Sequence, residues 1–556
     1  MKWVGLAVIL VLLAPSVFAA EGSVKLLALV ESETSSTGTL ADLQLETQPG
    51  EGRVFLDTFP LTKIATQISL RFAEQIACAE LDVDCSRTDF FYTIRAAPGI
   101  VGGPSAGAAA AVLTTALVDG RKLDPSVGIT GTINSGGFIG PVGGLQQKIE
   151  AAADAGLKKV LIPQGTSTIR DERNQSIDLI AYGDELGVEV VEVATLDEAM
   201  VHFTGSPIRK EQVPFTIEAE YSTKMKEVAK NLCGRYERDE QVTNLTSAAD
   251  AYFAGGEYYS AASYCFRANI DLREAQLQGI GREEFRQLVS DVAREATRLN
   301  DAADEQEIKT MTDVQTYMLV KERIAETQQS LAPLAVTRNI DASAIRDLAY
   351  AQERLYSAET WATFFGNGGQ EYEVDEFTLE QSCYSKIGEA EERFNYVQSL
   401  FPQTLKGTRQ TLDRAIQEAK QDDFILCLHD AAKAKSEADS LISVTGAEQS
   451  QLEEIIDVKL DATKRGLARA QSKGTFPLIG YAYYEYARAL KDEDPYSSLL
   501  FAEYASELSN LDIYFTKHKR LFFDLRPLRD IALAFLVGAV AGGWFIASRR
   551  LKRRKK

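Results

Sequence analysis

The segment Gly102-Gly103-Pro104-Ser105-Ala106-Gly107 interrupts the chain with two glycines and a proline, then feeds an alanine-rich run that stops at Gly120. A serine at the head of such a run and a glycine behind it are helix boundary signals, so a turn entering a buried helix is expected here. Forty-three positions after Ser105, Lys148 closes a second glycine-led segment, Gly143-Gly144-Leu145-Gln146-Gln147-Lys148, which opens a predicted helix over 144–155 ended by Gly156. Around these two helices the pattern alternates. Val24–Val30, Leu40–Leu45, Arg53–Leu56, Phe90–Ile94, Val127–Ile133, Lys159–Ile162 and Val188–Val193 read as strands, while Thr62–Leu81, Ile177–Leu186 and Leu196–Phe203 have apolar residues at helical spacing. Residues 24–205 are therefore expected to form an α/β (α+β) domain.

Ser206-Pro207 to Pro214 makes a polar, proline-bounded linker over 206–215, and the composition then shifts to long Ala-, Glu-, Leu- and Arg-rich stretches. Residues 216–515 read as an all-α region. Gly256-Glu257-Tyr258-Tyr259 before Ala262, Asp423-Phe424 before Cys427 and Pro495-Tyr496 before Leu499 each resemble the second helix of a tetratricopeptide-type hairpin. Their spacing is irregular, so both a helical bundle and such hairpins fit.

The chain has 556 residues, 45% of them hydrophobic, and a formal net charge of −20. That length calls for more than one core, and the acidic balance argues against a nucleic-acid partner. The start, with Lys2, an apolar run from Val4 to Leu13 and small residues up to Ala20, is expected to be a signal peptide over 1–20. Near the other end, residues 531–548 carry no formal charge and as a helix would reach about 27 Å, the length of a transmembrane span. The basic tail 549–556 behind it implies a cytoplasmic C-terminus. The expected placement is thus a single-pass membrane protein with the bulk of the chain outside the cytoplasm. In that setting Cys78, Cys85, Cys233, Cys265, Cys383 and Cys427 are expected to form disulfides; fifteen pairings are open, and sequence order favours neighbours. None has zinc-type spacing, and the chain has three histidines.

A serine at a helix start lies beside unpaired N–H groups and the positive end of the helix dipole, where an oxyanion can be held, and flanking glycines admit a substrate backbone. Its hydroxyl needs a base. The α/β segment offers only His202, at its far edge, whereas Lys148 shares a predicted helix face with Leu145, Ala151 and Ala152. An unperturbed lysine, with a pKa of about 10.4, is only roughly 0.04% neutral at pH 7. Bringing it toward about 7 costs about 4–5 kcal/mol, within what burial of a lysine can impose.

Taken together, Pro104-Ser105-Ala106-Gly107, Thr130-Gly131, Gly140-Pro141-Val142-Gly143-Gly144-Leu145-Gln146-Gln147-Lys148 and Ala155-Gly156 before Val160-Leu161-Ile162-Pro163 resemble the proteolytic domain of Lon proteases, of an archaeal, membrane-anchored type. The resemblance covers about 24–205. It implies Ser105 as nucleophile and Lys148 as general base and later acid, with Thr130 orienting the amine and Gly103, Pro104 and Ala106 flanking the serine. It also implies a polypeptide substrate, no metal or other cofactor, and a homo-oligomer. Two departures stand out: Thr132 follows the Thr-Gly pair where the family commonly has an acidic residue, and the sequence contains no Gly-x-x-x-x-Gly-Lys-Ser/Thr phosphate loop. The expected function is therefore an ATP-independent serine endopeptidase acting on unfolded or short polypeptides. The alternative keeps the fold but leaves the dyad idle, in a surface scaffold or receptor whose helical region binds protein.

Overall fold

Leu26 and Leu27 are adjacent and both buried, yet they belong to different hydrophobic clusters, because successive side chains of a strand point to opposite faces. This strand, β1 (Ala20–Glu31), is covered on both sides, which is why it reads as a continuous apolar run rather than an alternating one. The computed structural model describes residues 20–31, 36–59, 62, 64–96, 104–170, 176–208, 214–337, 339–368, 371–373, 376–401, 405–444, 452–472, 474–509 and 516–517.

After β1 come β2 (Ser36–Pro49), β3 (Val54–Phe59), α1 (Ile64–Leu81), β4 (Thr88–Ala96), α2 (Gly107–Val118), β5 (Val127–Ile129), β6 (Thr132–Asn134), β7 (Phe138–Gly140) and α3 (Leu145–Asp154). β8 (Lys159–Pro163), β9 (Thr168–Arg170), β10 (Ser176–Asp178), α4 (Leu179–Glu185), β11 (Glu189–Val193) and α5 (Leu196–Thr204) complete the α/β part. Seven strands form one mixed sheet in the order β11-β8-β5-β1-β2-β4-β3. β1, β5, β8 and β11 run parallel, β2 is antiparallel to β1 and β4, and β3 is parallel to β4. On one face, α1, α2 and α5 bury Phe72, Val112 and Met200 against Leu43, Leu45 and Ile94; on the other, α3 and α4 bury Ile149 and Leu179 against Leu27, Val160 and Val190. All of α2 from Gly107 to Ala116 is buried, which its run of small residues permits.

The segment 127–133, expected as one strand, is broken. At Gly131 the backbone leaves the sheet to bond with the start of α2, and the chain then turns out into an antiparallel β6–β7 hairpin, with Ile133 opposite Ile139. Gly136 and Gly137, at φ 73° and 74°, make its tip.

Beyond the linker the chain is helical: α6 (Ala219–Cys233), α7 (Thr243–Gly255), α8 (Tyr258–Leu277), α9 (Arg282–Asp304), α10 (Met311–Leu331), α11 (Ala342–Trp361), α12 (Glu376–Leu400), α13 (Lys406–Ala419), α14 (Phe424–Val444), α15 (Leu452–Ser472), α16 (Leu478–Leu490) and α17 (Pro495–Leu508). The pairs α7–α8, α10–α11, α13–α14 and α16–α17 pack as hairpins, and the aromatic stretches at Tyr258, Phe424 and Tyr496 each head the second helix of one of them. Non-consecutive packing of α12 on α14 and of α15 on α17 interrupts any regular stacking. The α/β part and the helices up to Thr516 form a single compact unit. Cys78 is bonded to Cys85, Cys233 to Cys265 across α6 and α8, and Cys383 to Cys427 across α12 and α14.

The expected C-terminal transmembrane helix, and the single-pass membrane localisation built on it, are corrected. Among the described residues no helix is long and apolar enough to cross a membrane. The long helices are built for packing against protein and water: α12, for example, carries Glu380, Lys386, Glu389, Glu391, Glu392 and Arg393. Residues 531–548 and the signal segment, except Ala20 in β1, lie outside the described residues. The fold is an α/β domain followed by an all-helical region.

A disulfide stabilises mainly by shortening the loops open to the unfolded chain, so the wider bridge should matter more. The Cys383–Cys427 pair spans 44 residues and the Cys78–Cys85 pair spans 7. Replacing the former by alanines is expected to cost about 4 kcal/mol and the latter about 2.5 kcal/mol. Paired thermal melts of the two double variants check the order.

Candidate active site

Ser105 and Lys148 come from opposite faces of the sheet and meet the carboxyl end of β5, the end of a parallel strand at which α/β folds commonly form sites. Ser105 sits half-buried in a 3-10 turn, Pro104–Ala106, one step before α2. The backbone of Gly131 fixes this turn from both directions: its N–H donates to the Ser105 carbonyl at 3.3 Å, and its carbonyl accepts from Ala108 N–H at 3.1 Å. A Cβ on Gly107 would stand 3.0 Å from Ile133 Cγ2 and 3.1 Å from the Ile133 nitrogen, so the glycine allows the hairpin to lie against the serine turn. Ala106 is half-buried at the helix cap position, and Gly103 lies outside the described residues.

Lys148 is delivered by α3. Gly144 caps that helix at φ 67°, and a Cβ there would be 2.3 Å from Leu29 Cδ1, so both conformation and space demand glycine. Gly38 on β2 lies directly under the helix, with its missing Cβ position 1.9 Å from the Gln147 carbonyl oxygen. This seating turns Leu145, Lys148, Ile149, Ala151 and Ala152 inward. Lys148 is left 2% exposed, and Nζ donates to Thr130 Oγ1 at 3.0 Å, with Thr130 itself fully buried.

Burial is what acts on the Lys148 ammonium, lowering its pKa to about 8, with no neighbouring charge contributing. At pH 7 a group with that value is about 10% neutral, against roughly 0.04% for a solvated lysine. The structure therefore joins Lys148 to Thr130 by a side-chain hydrogen bond, and Ser105 to the next residue, Gly131, by a backbone one. A Lys148–Ser105 hydrogen bond is not present among the described residues; in resting sites such bonds are often loose until substrate arrives. What the arrangement can do is hold an amine that gives up its proton readily on the Thr130 hydroxyl, one residue from the backbone that fixes the Ser105 turn.

The remaining candidates fall away from this point. His202 is in the last turn of α5 and feels the charges of Lys159 and Glu189 at the starts of β8 and β11, the end of the sheet opposite Thr130. His429 is buried in the helical region with Nε2 3.6 Å from Glu322, and His518 lies outside the described residues. Glu74 lies near Cys78 and Cys85, but the two sulfurs are bonded to each other and offer no thiolate to a metal. Thr132, in the position where an acidic residue was expected by resemblance, is buried and accepts from Asn134 Nδ2 at 3.1 Å, a neutral contact in place of a charged one. Sequence reading missed the hairpin that covers the site. Its signal was present in Ser135-Gly136-Gly137 between the β-branched pair Thr132-Ile133 and the apolar pair Phe138-Ile139.

Residues 93–197 match the Lon protease (S16) C-terminal proteolytic domain. The chain is 30% identical over 174 residues to a Lon protease of Lachnoclostridium phytofermentans, covering 30% of this chain and 20% of that one. It is 31% identical over 195 residues to an archaeal Lon protease of Methanothermobacter thermautotrophicus, 34% of this chain and 28% of the other. With Lon protease 2 of Bacillus subtilis the identity is 36% over 118 residues, 21% and 19% of the two chains. The chain thus spans between about a fifth and a little over a quarter of the length of these relatives. Ser105, Thr130 and Lys148 all lie within the residues, 93–197, that match this domain.

Proposed function

We propose that the protein is a serine endopeptidase working through a Ser105–Lys148 dyad, without ATP, on unfolded or short polypeptides. The observation that carries this reading is Lys148, buried with its amine on Thr130 Oγ1 while the adjoining Gly131 holds the Ser105 turn. Neutral Lys148 takes the Ser105 hydroxyl proton as Oγ attacks the scissile carbonyl carbon. The oxyanion that forms is favoured by the positive end of the α2 dipole. The lysine ammonium then protonates the leaving amine, and an ester on Ser105 remains. Water next loses a proton to Lys148 while attacking the ester, and the returned proton restores the Ser105 hydroxyl as the carboxylic product leaves. Thr130 aims the amine. The substrate proposed is one that needs no mechanical unfolding.

The protein is expected to digest casein in EDTA without nucleotide, and Ser105→Ala or Lys148→Ala to lower kcat/KM by about 1,000-fold or more. Wild-type rates in either variant would dispose of the dyad. Thr130→Val, which keeps the shape and removes the acceptor, should cost about 10-fold in kcat.

The base must be neutral, so kcat/KM should rise with pH through a midpoint near 8 and level off above it. The same burial has a signature in stability. Below about pH 8 the lysine is charged both folded and unfolded, and the fold carries the full desolvation cost; between about 8 and 10.5 the folded form has released its proton and the cost fades. Lys148→Met should therefore gain stability of at most about 3 kcal/mol below pH 8, less what the lost Thr130 bond contributes, and the gain should vanish toward pH 10.5. Urea denaturation at pH 7 and pH 10 reads the difference.

A further inference from the structure

The β6–β7 hairpin lies in the chain between Thr130 and Lys148, and its two faces meet different parts of the protein. One face looks into the site. Ile133 packs against Gly107, just past the serine turn, and Ile139 packs against Gly131, whose missing Cβ position is 2.5 Å from Ile139 Cγ2. The neighbouring residue, Phe138, points the other way, as alternation along a strand requires. Its ring is buried in a cluster made otherwise by the helical region, with Leu452, Ile455, Ile456, Leu460 and Leu499. The tip follows: a Cβ on Gly136 would be 3.5 Å from Ser506 Oγ and 3.6 Å from Ala462 Cβ. Within the α/β part the hairpin is held by Ile139 N–H on the Ala194 carbonyl at 2.9 Å, a bond along its edge that leaves the face toward α15 and α17 to those helices.

A cation is set over the same ring. Lys459 Nζ stands 5.2 Å from the Phe138 centroid and 2.6 Å from Glu503, and both charged side chains are essentially inaccessible to water. Their neighbours repeat the device. Arg393 is 3.5 Å over the ring of Phe72 on α1 and pairs with Asp439 at 3.0 Å, and Lys435 lies 5.7 Å from that ring while bonding Glu507 at 2.5 Å. Arg469 of α15 donates to the Ala79 carbonyl and to Glu80 at the end of α1, both at 2.8 Å. The helical region thus meets the α/β part with buried cations, each held by an anion, placed over two aromatic rings.

We infer that the helical region is a working part of the peptidase site: through Phe138, clamped under Lys459, it presses the hairpin onto the Gly107 and Gly131 backbones and so sets the dry pocket in which Lys148 is held. Phe138 and Lys459 are positioning residues, acting through the hairpin without touching substrate. The inference rests on the Ser105–Lys148 reading for its kinetic consequences, and on the packing alone for its effect on Lys148.

The test uses the full chain carrying Phe138→Ala, Phe138→Leu, or Lys459→Met with Glu503→Gln, the last removing the charge pair without leaving one member buried alone. Folding is checked by thermal melts. Two readouts follow: the pH profile of kcat and KM on casein-derived peptides, and competitive acetylation of Lys148 across pH 6–11 read by mass spectrometry, which reports the amine whether or not anything is cleaved. Phe138→Ala is expected to lower kcat by about 10-fold or more with KM changed less than about 3-fold. The acetylation midpoint of Lys148 should move up toward that of a solvated lysine, Phe138→Leu should recover most of both, and the double variant should move them the same way. A folded Phe138→Ala protein with wild-type kcat and midpoint would overturn the inference. Should that variant fail to fold, Ile456→Ala, on the helical side of the same cluster, is read in its place by the same criteria. Normal cleavage by Ser105→Ala would instead remove the dyad reading, and the acetylation midpoint would still decide whether the hairpin governs Lys148.

Discussion

A lysine kept from water is the condition on which this site rests. Desolvation disfavours the charged amine, and among the described residues its hydrogen-bond partner is the neutral Thr130 hydroxyl. The glycines around it make that burial geometrically available. Gly38 lets α3 settle on β2, Gly144 starts the helix against Leu29, and Gly131 gives up the sheet ladder to tie down the serine turn. Each marks a place where backbone must approach closer than any side chain would allow. Ser105, just before α2, and Lys148, on α3, are thus brought from opposite faces of one sheet, with the end of β5 as their common support.

The helical region adds a second kind of constraint. Its contact with the α/β part is a set of paired charges beneath Phe72 and Phe138, and such pairs, once desolvated, hold their geometry because losing either partner strands the other. An interface of this kind does not slide easily. The hairpin between Thr130 and Lys148 is sandwiched between that surface and the backbone at Gly107 and Gly131.

Much of this could be read from the sequence, and the parts that could not have specific causes. The strands and the two glycine-led helices were legible because buried parallel strands give unbroken apolar runs and because Gly-Pro-Ser and Gly-Gly turns punctuate them. Val127–Ile133 misled because its apolar residues continue across Thr130-Gly131, where a long-range bond to the serine turn, invisible in local pattern, ends the strand. The helical hairpins showed as aromatic–small stretches, but their non-consecutive packing depends on tertiary contacts that no period encodes. Phe138 gave no sign of its role, since an aromatic on a short strand reads as ordinary core. The membrane assignment leaned on the hydropathy of one segment, and the long helices of the helical region that the structure describes carry charged residues.

The bridge between Cys383 and Cys427 encloses most of α12, the whole of α13 with its two connections, and the start of α14. A backbone cut anywhere in that span leaves the two fragments covalently joined, with α12 and α14 still packed across the bond. The same holds for the connections between Cys233 and Cys265. A single cleavage event in either loop therefore leaves the molecule in one piece.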